Sequence, residues 1–155
     1  MAQPDDPVTS AGRWSEAFIG RERETTQLKA AVKEALSGSC RIVMLAGEPG
    51  IGKTRTASEV VSWAEGVGFQ GLWGRCHETS GAPPYWPWSQ ALASYIRTLD
   101  PDQLQMEAEG SAAGIAQIVP EIQRAVANVG PPLALEDPEV ARFRLLESVA
   151  TFLRN

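Results

Sequence analysis

The chain has little cysteine and histidine: Cys40, Cys76 and the single His77 are all that its 155 residues offer to thiol or soft-metal chemistry. Two thiols far apart beside one imidazole make no metal-binding pattern. Each cysteine sits at the edge of a predicted strand, where a thiol serves as a small packing residue. No apolar run approaches the roughly 20 residues that a membrane span needs. The first residues, MAQPDDPVTSAGRW, lack both a basic start and an apolar stretch, which excludes a secretory signal. The expected location is therefore the cytoplasm, with no membrane partner. Positive charge is also short, 14 Lys and Arg against 19 Asp and Glu, for a formal net charge of −5. Binding a phosphate backbone needs a clustered basic surface, so no nucleic-acid contact is expected of this segment. What remains, 43% hydrophobic and 21% charged residues, is the balance of a soluble globular domain.

Residues 1–17 are rich in Pro, Asp and Ser, show no periodicity, and read as a flexible leader. Order begins at Phe18. Between Arg21 and Ser37, the positions Leu28, Val32, Ala35 and Leu36 fall at helical spacing, and Ser37–Gly38–Ser39 stops the helix. Cys40 to Ala46 is a short apolar run with β-branched Ile42 and Val43, which predicts a strand buried on both faces of a parallel sheet. A glycine-rich turn follows, then a helix from Lys53 to about Glu65 with Ala57, Val60, Val61 and Ala64 as its apolar stripe. Phe69 to Arg75 is a second strand candidate, so the segment reads as a strand–helix–strand unit with a right-handed crossover.

Beyond Cys76 the pattern turns helical. A turn-rich loop over 77–87 leads to predicted helices at about Trp88–Leu99, after Asp100–Pro101, around Ile115 and over Pro120–Val129. A final helix has Asp137 as N-cap and Pro138 as its first residue. Its expected buried stripe is Val140, Phe143, Leu146, Ala150 and Leu153. The expected fold class is therefore an α/β P-loop NTPase, a parallel sheet with flanking helices and a helical C-terminal half. Two strands are too few for a normal sheet, so residues 18–155 are expected to be the N-terminal part of a longer ATPase domain.

The chemistry is carried by Gly47–Glu48–Pro49–Gly50–Ile51–Gly52–Lys53–Thr54, which fits G-x-x-x-x-G-K-[ST]. Phosphate oxygens must be wrapped by backbone N–H groups, and glycines let the chain curl tightly with no side chain intruding. The helix beginning near Lys53 directs its free N–H groups and the positive end of its dipole at the anion. Lys53 is expected to reach the β- and γ-phosphates and the Thr54 hydroxyl to ligate Mg²⁺. The absence of an N-K-x-D segment disfavours a GTPase.

Several segments in order resemble the ATPase domain of the signal-transduction ATPases with numerous domains. The likeness is to the AAA-type module at the front of large LuxR-type regulators and some bacterial nucleotide cyclases. The segments are Phe18–Ile19–Gly20–Arg21–Glu22–Arg23–Glu24, the loop continuing through Lys53–Thr54–Arg55, Gly74–Arg75–Cys76, the run from Gly81 to Trp88, and Asp137–Pro138–Glu139 leading into Arg142–Phe143–Arg144–Leu145–Leu146. The resemblance implies that Ile19, Gly20 and Arg21 contact the adenine of ATP or ADP. The bland alternative makes Arg21 to Glu24 a solvated first helical turn. Arg75 reads equally as a functional residue at a strand end and as a charge facing water. Tyr85, Trp86 and Trp88 read as a packed lid or helix-docking patch, and His77 with Glu78 as polar loop residues. Thr56 stands where relatives carry an apolar residue, which weakens the inner face of its helix.

The resemblance also implies a third strand, lying between the two predicted here and ending in acidic residues that hold Mg²⁺ and orient water. No catalytic residue of that kind is expected within this segment, so slow hydrolysis or none is expected of it alone. Sheet edges left open would invite self-association. Three readings stay open: an ATP/ADP switch within a multidomain signalling or transcriptional regulator, partnered by the other domains of its own chain; a P-loop small-molecule kinase or other metabolic phosphotransferase; and an inert piece that binds nucleotide weakly and serves only in packing or oligomerisation.

Overall fold

Seven helices account for the regular structure of the described residues. The computed structural model describes residues 20–76, 81–127, 129–130 and 137–155. Within it the chain divides into two compact units, Met1–Gly71 and Leu72–Asn155. The leader, Ile19, His77 and Glu78 lie outside the described residues.

The first unit is a helix pair. Helix α1 (Glu22–Leu36) carries Glu22 and Glu24 in its first turn and Lys33 in its last, matching the helix dipole at both ends. It stops where the sequence predicts. Gly38 adopts a left-handed φ of 87°, its N–H donates to Ala35 O at 2.9 Å, and Ser39 N–H donates to Glu34 O at 3.3 Å. That double bond pattern closes a helix by satisfying its last carbonyls. Helix α2 (Lys53–Glu65) buries Thr56, Val60 and Ala64. The two helices pack together, and the Lys29 ammonium lies 5.2 Å from the centre of the Trp63 ring, a cation–π contact. Thr56 is wholly buried, yet its hydroxyl donates to Gly52 O at 3.1 Å. That hydrogen bond offsets the cost of taking the hydroxyl out of water.

The expected parallel sheet is not there: the described residues form helices and no β-strand. The runs over 40–46 and 69–76 belong to no ladder, and Ile42 and Met44, expected inside, are 95% and 88% exposed. The reason is the nature of a strand. A helix satisfies its own N–H and C=O groups, whereas a strand exists only when neighbouring strands accept and donate along its length. The strand that the resemblance places between these two runs has no counterpart among the described residues. An apolar, β-branched composition alone does not make a strand.

The second unit is an all-helical cluster. Helix α3 (Trp86–Ile96) follows Tyr85, a non-glycine residue at a left-handed φ of 63°, and has Pro87 in its first turn. Helix α4 (Pro101–Glu107) opens with a capping box in which Gln103 N–H donates to Asp100 Oδ1 at 2.8 Å and Asp100 N–H donates to Gln103 Oε1 at 3.2 Å. Two short pieces follow, α5 (Ala112–Ile115) and α6 (Ile122–Ala125). Helix α7 (Pro138–Phe152) begins as expected, with Asp137 Oδ1 accepting from Glu139 N–H at 2.8 Å.

Leu92, Ile96, Leu104, Ile115, Val119, Ile122 and Phe152 form the core. Here α7 corrects a second expectation, because it buries Leu145, Val149 and Phe152 while Val140, Phe143, Leu146 and Leu153 are exposed. Both stripes have helical spacing, so periodicity alone does not choose between them. The choice is made by α5: a Cβ at Gly114 would overlap the Ser148 side chain, so the two helices meet at a glycine on the Leu145–Ser148–Phe152 side.

Tyr95 meets Phe152 edge-on at 5.9 Å between ring centres. Burial, and after it the hydrogen bond and charge of Glu107, push the Tyr95 hydroxyl above its usual range. An unfolded tyrosine ionises near pH 10, and the folded one does so at higher pH. The contribution of neutral Tyr95 to stability is therefore complete below pH of about 10 and is lost as pH rises through the folded value. Thermal melts should show a downward turn in stability only above about pH 10; a Tyr95→Phe variant should lack that component, and an identical alkaline profile in both proteins would contradict it.

Candidate functional site

The loop over 47–53 is wound by glycines at the positions where a Cβ would cost most. Gly50 and Gly52 take φ of 79° and 93°, a region that side chains rarely enter. Ile51 N–H donates to Glu48 O at 3.3 Å, closing the turn, and Gly52 is the N-cap of α2. No side chain caps α2 and no acidic residue occupies its first turn. α1, α3, α5 and α6 also start without a side-chain cap; what sets α2 apart is the glycine curl ahead of it, which leaves its first N–H groups and the positive dipole end open to an external anion.

Lys53, the first residue of α2, turns its ammonium back onto the loop and donates to Gly47 O and Glu48 O, each at 2.9 Å. Both acceptors are neutral carbonyls in exposed surroundings, so they hold the ammonium less strongly than charged oxygens would. Thr54 is exposed in the same first turn. Arg55 is half-buried beside it, and Glu48, Pro49, Gly50 and Ile51 are exposed along the outer rim.

Arg21 joins this loop from far away in sequence. As the N-cap of α1 it holds a left-handed φ of 69°, and its guanidinium donates to the carbonyl of Ile51. The structure therefore brings Gly20–Arg21 and Gly47–Arg55 to one place. It places Arg75 in the other unit, exposed, with its N–H donating to Gln90 Oε1 at 3.0 Å. Gly74 is tightly fitted there, since a Cβ would strike the Pro87 backbone. In the aromatic run Tyr85 and Trp86 are half-buried and Trp88 is exposed, and Tyr85 packs against the helical core.

Two contacts escaped sequence reasoning. The tie from Arg21 to Ile51 O left no trace in spacing or composition. The Thr56 hydroxyl bonding back to Gly52 was signalled only by a threonine one turn inside a helix, a position where such back-bonding is common. Among the described residues no group of three or more His, Cys, Asp or Glu could hold a metal, and no helix is long and apolar enough to cross a membrane.

A glycine-wound loop running into an uncapped helix, with a lysine at the junction, defines a nucleotide-binding P-loop module. The chain belongs to the AAA ATPase domain family, which it matches over residues 17–155. No curated protein and no solved structure matches it.

Proposed function

We propose that this chain binds Mg-ATP and Mg-ADP as the nucleotide module of a switch ATPase within a multidomain signalling or transcriptional regulator. The observation that carries the reading is the uncapped start of α2 behind Gly50 and Gly52, with Lys53 resting on two neutral carbonyls. A phosphate chain entering that curl gives the free N–H groups their acceptors and draws the ammonium from Gly47 O and Glu48 O to charged oxygens. Thr54 is the residue assigned to Mg²⁺. Mg²⁺ keeps several waters and takes most of its remaining ligands from substrate phosphates, which suits a site with one hydroxyl nearby. Gly20 and Arg21, with Ile19 before them, are assigned to the adenine, supported by the position of Arg21 against the loop. The γ-phosphate can bias a two-state equilibrium only by binding one state better than the other, and Lys53 is the group best placed to sense its loss.

Competition titrations against a fluorescent ATP analogue test this. Mg-ATP and Mg-ADP should bind and Mg-GTP should bind at least about tenfold more weakly, the scale of one lost base-directed hydrogen bond. Arg21→Ala should narrow that preference more than it weakens ATP. Equal binding of ATP and GTP by the unaltered protein would overturn the adenine assignment, and no nucleotide binding at all would overturn the whole reading.

A further inference from the structure

The apolar stripe that α7 leaves outside is the least expected surface of the second unit. Phe143 is 67% exposed, and Leu146, Ala150 and Leu153 continue the same face. The steps from Phe143 to Leu146, Ala150 and Leu153 are three, four and three residues, the alternation with which one helix meets another along a seam. Beside the stripe lies an apolar groove of about 220 Å³ whose walls include Trp88, Ile118, Leu146, Ala150 and Leu153. A cavity of about 150 Å³ lined by aliphatic side chains holds a benzene ring, so the groove is large enough for a phenyl side chain. A protruding phenyl on α7 and a groove that accepts one, walled by α7 together with Trp88 and Ile118, thus lie side by side. A self-complementary patch is what a two-fold interface requires, because each copy presents the identical surface.

Charge selects the direction. With two α7 helices antiparallel and the seam in register, Phe143 faces the partner's Leu153 and Leu146 faces the partner's Ala150. The residues flanking the seam then fall so that Glu147 opposes the partner's Arg154, and the symmetry repeats the pair. Glu147 and Arg154 are both exposed. The Arg154 Nε–H donates to Ala150 O at 2.9 Å, which holds the guanidinium over the last turn of α7 at the edge of the seam. We propose that this face of α7 is the contact surface for a second copy of the chain, paired antiparallel through Phe143, Leu146, Ala150 and Leu153 and flanked by two Glu147–Arg154 ion pairs. This surface is distinct from the sheet edges that the sequence alone made the site of association.

Sedimentation velocity and light scattering on the full 155-residue chain test the proposal, with circular dichroism confirming that each variant keeps its helices. The unaltered protein should sediment as a dimer that dissociates on dilution. Phe143→Glu and Leu146→Glu, both at exposed positions, should each leave a helical monomer. Glu147→Arg sets like charges opposite each other twice and should weaken dimerisation by about tenfold. Arg154→Glu added to it should restore the dimer. A monomer at all concentrations would overturn the proposal. So would a dimer that survives Phe143→Glu, or one abolished instead by Ile42→Lys with Met44→Lys on the exposed 40–46 run. Rescue of Glu147→Arg by Arg142→Glu rather than by Arg154→Glu would mean parallel helices and would equally overturn it.

Discussion

Replacing Lys53 by alanine is expected to weaken Mg-ATP binding by about 10- to 100-fold while leaving the helices intact. A hydrogen bond to a charged group is worth about 1.5–3 kcal/mol, and each 1.4 kcal/mol is about a factor of ten in affinity. Lys53 bonds Gly47 O and Glu48 O, which water satisfies once the ammonium is removed because the loop is exposed. The substitution therefore costs the empty protein little and the nucleotide complex much. Calorimetric titration with Mg-ATP reads the difference directly, and indistinguishable binding curves for the two proteins would place the phosphates somewhere other than this loop. The same titration with Mg-ADP adds a diagnostic. If Lys53 senses the γ-phosphate, the loss for ATP should exceed the loss for ADP.

The second large effect concerns the fold. Phe152 is 1% exposed, meets Tyr95 edge-on and closes the core of the helical cluster from the end of α7. Phe152→Ala should cost about 3–5 kcal/mol, the lost transfer of the ring plus the cavity it leaves. Domains of ordinary stability have only about 5–15 kcal/mol in total. For a chain of this size the loss should lower the melting temperature by roughly 10 °C or more. Helical ellipticity followed on heating measures it. A fall of only one or two degrees would mean that Phe152 is not packed as described. Phe143→Ala, on the outer face of the same helix, should leave the monomer's melting temperature nearly unchanged, since it removes little buried surface.

These pairs show what the sequence could and could not disclose. The phosphate loop was legible because its chemistry is local: three glycines, a lysine and a threonine within eight residues act through their own backbone. Helix ends were legible for the same reason, as Ser37–Gly38–Ser39 and Asp137–Pro138 show, where a turn or a cap satisfies groups at most a few residues away. The sheet was not, because a strand is a property of its neighbours, and Ile42 and Met44 look the same in isolation whether a ladder surrounds them or water does. Nor was the buried face of α7. That helix is apolar on two sides, and the choice rests on where Gly114 lets α5 approach. An adenine contact for Arg21 was an expectation from resemblance alone; that its guanidinium reaches the Ile51 carbonyl required three dimensions.

The meeting of α5 and α7 has a consequence for how this sequence can drift. At position 114 a hydrogen atom stands where any other residue would put a carbon, and that carbon would occupy the space of the Ser148 side chain. Position 114 cannot grow while Ser148 stays as it is. Among descendants of this chain, a larger residue at 114 should be met only alongside a smaller one at 148, so the two positions are inherited as a linked pair although 34 residues of chain separate them.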